Sequence, residues 1–153
     1  MARKSNNTAL NSIADNINSG LLDNKITKTI TYVAGTTGAI GATTLCTVTG
    51  VVALSIFGVC STNLAGAGAT MEVGTAASTA GAIAQTTAVN IDANEIWHDA
   101  SPDSSIELTS VILKNIITDD VIQTIATAAV SAGVVTYYIL WAPISADGNV
   151  VVA

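Results

Sequence analysis

The sequence of 153 residues lacks charged side chains over an unusually long stretch. From Thr29 to Met71 there is no Asp, Glu, Lys, Arg or His, and charged residues make up only 10% of the chain, against about 25% in a typical soluble domain. Within this stretch the longest uninterrupted apolar run is Val51–Leu54. A membrane-spanning helix needs about 20 consecutive apolar residues, so the missing charge does not indicate a membrane span.

Basic residues are nearly absent from the body of the chain. Four of the five Lys and Arg residues lie within the first 28 positions, and the fifth is Lys114. Nucleic-acid binding depends on lysine and arginine side chains that neutralise phosphates. A chain of net charge −6 with no lysine or arginine between Thr29 and Leu113 is therefore not expected to bind nucleic acid through its core.

Cysteines and a secretory signal are scarce or missing as well. The two cysteines, Cys46 and Cys60, are too few for a disulfide framework in a chain of this length, and both lie in apolar runs where a free thiol behaves as a small buried hydrophobe. The basic pair Arg3-Lys4 is followed by polar residues instead of an apolar core, so no secretory signal is expected. We expect synthesis in a reducing cytoplasm.

What the sequence does contain is threonine alternating with apolar residues. From Ile26 onward this period of two predicts half-buried strands, and Val51–Cys60, apolar on both faces, predicts a central strand. Val121–Thr127 and Val134–Trp141 predict a hairpin, whereas Ile106–Ile117 fits either a helix or a strand. About eight short strands between Gly-rich turns predict an all-β fold over residues 26–153, an antiparallel β-sandwich with jelly-roll topology.

Residues 1–25 differ in composition and are interpreted as an N-terminal arm. Asparagine occurs there six times and weakens any helix, yet apolar residues fall at helical spacing. A disordered tail and a short helix are both compatible with this pattern. We expect an arm that packs against a neighbouring subunit through four apolar residues: Leu10, Ile13, Ile17 and Leu21.

His98 is the only histidine, and it lies near Glu95, Asp99 and Asp103. A general base can be drawn from such a cluster, but no serine or cysteine offers the setting of an activated nucleophile. A small hydrolase centred on His98 is therefore the least favoured hypothesis. The sequence predicts no catalytic residues and no enzymatic activity.

The stretch Asn90-x-Asp92-x-Asn94 places oxygen-bearing side chains at alternate positions, as in the start of an EF-hand loop. The sixth position is Glu95 instead of glycine and the twelfth is Ser101 instead of glutamate. We accordingly expect no metal and no cofactor. A structural cation bound by Asp92, Glu95 or Asp99 is the alternative.

Two tryptophans are the largest side chains in an aromatic-poor chain. Trp141 lies in a predicted strand and is expected in the core. Trp97 lies in the polar stretch between residues 90 and 105, and tryptophan is enriched at interface hot spots. We therefore predict Trp97 as a contact residue.

Several segments carry a resemblance to a known group of proteins: LCTVTG at 45–50, FGVC at 57–60, ATMEVGTA at 69–76, IAQTT at 83–87 and EIWHDA at 95–100. Together they resemble small β-rich virion structural proteins of tailed bacteriophages, over roughly residues 26–146. The resemblance implies a decoration or cement protein on the capsid exterior. Its implied partners are the major capsid protein and further copies of itself, with a trimer favoured.

The alternative function is a virion spike, fibre or lectin-like module that binds a host surface. Such a module would stack sugars on Trp97 and hold them with the carboxylates of the Asp92–Asp103 loop. An uncharged surface that meets protein neighbours suits the cement hypothesis better, because few charges remain to be desolvated at a contact.

Overall fold

The computed structural model describes Leu22 and residues 24–153, and the regular elements there are eleven β-strands and two short 3-10 helices. The expected arm residues Leu10, Ile13, Ile17 and Leu21 lie outside the described residues. The strands are β1 (Asn24–Thr31), β2 (Gly41–Thr49), β3 (Val52–Ala65), β4 (Thr70–Thr75), β5 (Ser78–Thr87), β6 (Glu95–Trp97), β7 (Asp103–Ser104), β8 (Asn115–Ile117), β9 (Val121–Ala126), β10 (Ala132–Pro143) and β11 (Asn149–Val152). The 3-10 helices span Ala88–Asn90 and Thr109–Val111.

The strands form two antiparallel sheets. One has the order β1-β10-β3-β6-β7, with β8 also pairing with β3, and the other has the order β11-β2-β9-β4-β5. The chain passes repeatedly from one sheet to the other, and the β4–β5 hairpin stays within one sheet. The predicted all-β antiparallel sandwich is thus confirmed, while its jelly-roll topology stays a prediction.

The central strand is confirmed as well. β3 pairs with β10 on one side and with β6 and β8 on the other, and its inward residues are buried, among them Leu54 and Cys60. Both cysteines are free and buried, as expected. Burial raises the pKa of the Cys46 thiol to about 11, because the charged thiolate is poorly solvated in an apolar interior.

The hairpin predicted from Val121–Thr127 and Val134–Trp141 is wrong, although both segments are strands. β9 lies between β2 and β4, whereas β10 lies between β1 and β3 in the other sheet. Thr127 and Gly133 have φ angles of 68° and 116°, in the left-handed region that redirects a chain. The connection therefore crosses between sheets instead of turning back within one.

The segment of ambiguous pattern, Ile106–Ile117, is neither a helix nor a strand along most of its length. It contains one 3-10 turn and ends in the three-residue strand β8. Among the described residues no helix has the length and hydropathy of a membrane span.

Candidate functional site

Trp97 anchors the region in which the candidate site lies. It is the last residue of β6, pairs with Gly58 across β3 and is 0% exposed. Its ring packs 6.1 Å from the Tyr137 ring in the core. A fully buried ring has no surface for a neighbouring subunit or a sugar, so the predicted contact role of Trp97 is corrected here to a core role.

His98 follows Trp97 directly and is surrounded by carboxylates. The imidazole is buried, with only 6% of its side chain exposed, and Nε2 lies 3.0 Å from Glu107 Oε2 and 3.3 Å from Asp103 Oδ2. On the other side of the ring, Nδ1 lies 3.9 Å from Asp99 Oδ2. We call His98, Asp103 and Glu107 the His98 cluster.

The backbone fixes the positions of the three cluster residues. Asp103 opens β7 and pairs with Ile96 of β6, which places it beside the end of the strand that directly precedes His98. Two residues later Ser105 has a φ of 55°, an uncommon left-handed conformation for a residue other than glycine. That turn directs the chain back so that Glu107 reaches the imidazole.

The Glu107 carboxylate is held in one orientation by two different partners. Oε1 accepts a hydrogen bond of 2.7 Å from the Leu108 backbone N–H, which leaves Oε2 directed at His98. The Leu108 backbone hydrogen bond, with smaller contributions from Asp103 and His98, lowers the pKa of Glu107 below its ordinary value. A lowered pKa means that this carboxyl group is ionised at neutral pH.

The cluster has donors for a metal ion but no partner for nucleophilic catalysis. One imidazole nitrogen and two carboxylate oxygens lie within 4.8 Å of one another. In the described part of the chain every hydrogen-bond or ion-pair partner of the His98 ring is a carboxylate, whereas a catalytic triad needs a hydroxyl or thiol hydrogen-bonded to the base.

The cation alternative raised from the sequence involved different residues. The Glu95 Oε2 atom accepts a hydrogen bond from the Asp92 backbone N–H at 2.8 Å, and Asp99 Oδ1 accepts one from Ser101. The ligand atoms that converge belong to His98, Asp103 and Glu107 instead. Sequence reasoning missed Glu107 because its approach depends on the turn at Ser105.

Next to the cluster lies a groove with an aromatic floor. Phe57 and Tyr138 are stacked with ring centroids 5.3 Å apart and planes 12° from parallel. The cavity has a volume of about 260 Å³. Glu107 belongs both to the cluster and to this groove, whose lining consists of Lys25, Phe57, Ile96, Glu107, Thr109, Ile112, Tyr138 and Leu140.

The part of the chain that begins next to Glu107 exposes an unusual number of large apolar side chains. We call residues 106–116 the apolar segment. Five of its eleven residues are exposed hydrophobics: Ile106 (82% exposed), Leu108 (68%), Val111 (39%), Leu113 (62%) and Ile116 (66%). Exposed single hydrophobics are normal, but five within eleven residues make this segment a candidate contact surface.

No protein-family model, curated protein or solved structure matches this chain.

Proposed function

We propose that this protein is a structural component of a tailed-phage virion, a decoration or cement protein that binds the major capsid protein on the outer shell. The observation that carries the proposal is the apolar segment, which holds five of the large exposed hydrophobic side chains of the sandwich. A protein that decorates a shell needs a rigid body and an apolar contact surface, and it needs no chemistry of its own. This role also agrees with the family resemblance of the sequence.

The apolar segment supplies a useful but limited amount of binding free energy. The exposed fractions of its five large side chains add up to about three fully exposed residues, and each is worth about 1.5–3 kcal/mol when buried. Association itself costs roughly 4–15 kcal/mol. A single copy would therefore bind weakly, and a closed oligomer that contacts the shell several times would bind far more tightly.

Sheet edges that have no further strand among residues 24–153 provide a route to such an oligomer. β1 and β11 are the terminal strands of their sheets, and Val151 and Val152 of β11 are exposed. An unpaired edge accepts a strand from another chain through main-chain hydrogen bonds. We favour a trimer that uses these edges, with the N-terminal arm residues Leu10, Ile13, Ile17 and Leu21 clasping a neighbouring subunit.

The test measures binding to capsids. Purified virions should contain hundreds of copies of the chain by quantitative mass spectrometry, and purified protein should rebind shells stripped of it. Ile106→Lys together with Leu113→Lys should reduce rebinding at least tenfold, because a lysine ammonium would have to be desolvated at the contact. Both side chains are more than half exposed, so the fold should survive.

Two matched controls lie elsewhere on the surface. Ile40 and Ile144 are 61% and 56% exposed, so Ile40→Lys and Ile144→Lys make the same change at similar exposure. These variants should rebind normally. Equal losses for both pairs would show that the apolar segment is not the contact surface, and absence of the chain from virions would refute the function.

The groove favours a second candidate function, a spike or fibre module that binds glycans. Stacked Phe57 and Tyr138 form an apolar platform, with Glu107 and Lys25 at the same groove. Sugars stack on aromatic faces and bind carboxylates. Glycan-array binding that is lost in Tyr138→Ala, together with a few dozen or fewer copies per virion, would favour this function over cement.

A further inference from the structure

We propose that His98, Asp103 and Glu107 bind one divalent transition-metal ion of the zinc class. The metal site is independent of the proposed function, because it rests on the geometry of the cluster alone. Imidazole nitrogen together with carboxylate oxygen is a donor set that suits zinc and its neighbours better than calcium or magnesium.

Hydrogen bonding alone does not explain why two carboxylates lie against Nε2 of His98. Nε2 carries at most one proton, yet two carboxylate oxygens converge on it, at 3.0 Å and 3.3 Å. One proton shared between two acceptors leaves each with a weakened bond. A metal ion among the three atoms would satisfy all of them at once.

The distances between the ligand atoms suit a single tetrahedral ion. Zinc lies about 2.0–2.2 Å from nitrogen and oxygen ligands, so two ligands at the tetrahedral angle are about 3.3 Å apart. The two separations measured from Nε2 are 3.0 Å and 3.3 Å, and the three atoms all lie within 4.8 Å of one another. Small side-chain adjustments would complete three ligands and leave a fourth position for water.

Charge balance points the same way. Two carboxylates that face each other either share a proton or need a cation between them. The carboxylates of Asp99, Asp103 and Glu107 all face the His98 ring, and a dication would offset two of their three negative charges. Among the described residues no lysine forms an ion pair with either carboxylate.

Asp99 is placed to act as a positioning residue for His98. Its Oδ2 atom lies 3.9 Å from Nδ1, on the side of the ring away from the cluster. At 3.9 Å the two atoms are too far apart for a hydrogen bond, but an approach of about 1 Å would let Asp99 accept the Nδ1 proton and leave the Nε2 lone pair for a metal. Histidine ligands in metal sites usually have such a partner at the second nitrogen.

A bound ion would also fix the start of the apolar segment. Glu107 lies within that segment, whereas His98 and Asp103 belong to the β6–β7 region of the sheet. The ion would join the β6–β7 region to the apolar segment by coordination bonds that water does not readily replace. We therefore expect metal binding to reduce the mobility of residues 105–109.

Equilibrium dialysis and calorimetry with zinc chloride, on the full chain after treatment with a chelator, test the proposal. We expect one zinc ion per chain, a raised melting temperature, and a cobalt(II) complex whose visible absorption has the intensity of a tetrahedral site. Hydrogen exchange of the backbone amides at 105–109 should slow when zinc is added. Calcium chloride should give no binding.

Variants identify the ligands and separate binding from folding. Asp103→Asn changes a side chain that is 51% exposed and should fold normally, so its expected loss of zinc affinity, at least about tenfold, cannot be attributed to unfolding. His98→Ala and Glu107→Gln should lose at least as much. Asp92→Asn, in the same region but outside the cluster, is the matched control and should bind zinc as the unmodified chain does.

Three results would overturn the proposal. If dialysis finds no stoichiometric zinc, the cluster is a hydrogen-bonded network that holds no metal. If zinc binds but Asp103→Asn and His98→Ala bind it unchanged, the site lies elsewhere. If Asp92→Asn alone abolishes binding, the cation belongs to the Asp92 turn.

Discussion

The buried contact among Tyr32, Gln123 and Tyr137 predicts that removing the amide costs less stability than removing a hydroxyl. All three residues are buried, with Gln123 at 0% exposure. Both tyrosine hydroxyls donate to Gln123 Oε1, that of Tyr137 at 2.6 Å. The two hydroxyl oxygens also lie 3.0 Å apart, and the Gln123 amide nitrogen has no partner among the described residues.

The expected magnitudes follow from counting donors and acceptors. Tyr137→Phe removes one hydrogen bond to Oε1 and should lower the free energy of unfolding by about 1–2 kcal/mol. Gln123→Met keeps a side chain of similar length and removes the acceptor of both hydroxyls. One tyrosine can then donate to the other across 3.0 Å, which keeps one of the two hydrogen bonds and leaves one hydroxyl hydrogen without an acceptor. Gln123→Met also removes the buried N–H groups that lacked partners, whose burial costs about 1–3 kcal/mol. The net change in the free energy of unfolding should therefore stay within about 1 kcal/mol.

Urea unfolding followed by tryptophan fluorescence, at one protein concentration for all variants, measures these differences. Gln85→Met is the control, because Gln85 is exposed and its replacement should change stability by less than about 0.5 kcal/mol. A loss above about 2 kcal/mol for Gln123→Met, together with a smaller loss for Tyr137→Phe, would show that the amide nitrogen has a partner such as a buried water. That result would refute the reasoning.

Two further predictions concern the core. A methyl group at Gly58 would lie 2.8 Å from Val135 Cγ1 and 3.6 Å from both the Trp97 and Tyr137 rings. Gly58→Ala should therefore lower the free energy of unfolding by about 1–3 kcal/mol. An unchanged urea midpoint would show that Val135 moves away freely. Burial raises the pKa of Cys46 from 9.0 to about 11 and raises those of Tyr32 and Tyr137. Unfolding therefore releases protons at alkaline pH, so the free energy of unfolding should be constant up to about pH 9 and fall progressively above it. In Cys46→Ala the free energy of unfolding should fall less steeply with pH. A urea midpoint that does not change between pH 9 and 11 would contradict the raised pKa values.

The fold was largely predictable because the side-chain period of a strand is visible in the sequence. Alternation of apolar residues with threonine located β1 and β2, and the doubly apolar run located β3. The pairing of β9 and β10 was not predictable in the same way. Two strands that follow each other closely usually form a hairpin, and only the whole arrangement shows that the connection between them crosses to the other sheet.

The candidate site was predictable in part. The sequence brought His98 and Asp103 to notice, because they lie five positions apart in a polar stretch. Glu107 was not identified, since it reaches the imidazole through a left-handed residue at Ser105 that carries no glycine or asparagine signal. Trp97 was misjudged for a related reason: polar neighbours suggested exposure, whereas the pairing of β6 with β3 places its ring in the core.

A chain of neighbouring residues leads from Gly58 in the core, through Trp97 and His98, to Glu107 in the apolar segment. A methyl group at Gly58 meets the Trp97 ring at an ordinary 3.6 Å, but its 2.8 Å approach to Val135 Cγ1 has to be relieved by a shift of the side chain or of the β3 backbone. Gly58 pairs with Trp97, which directly precedes His98, so a backbone shift would reach His98. His98 contacts Glu107, which lies within the apolar segment. Gly58→Ala should therefore lower the zinc affinity as well as the free energy of unfolding. Because the cause is a displaced His98, the zinc affinity should be lower even at temperatures where the Gly58→Ala protein is fully folded. A Gly58→Ala protein with the zinc affinity of the unmodified chain would show that the loop holds the cluster without support from the core.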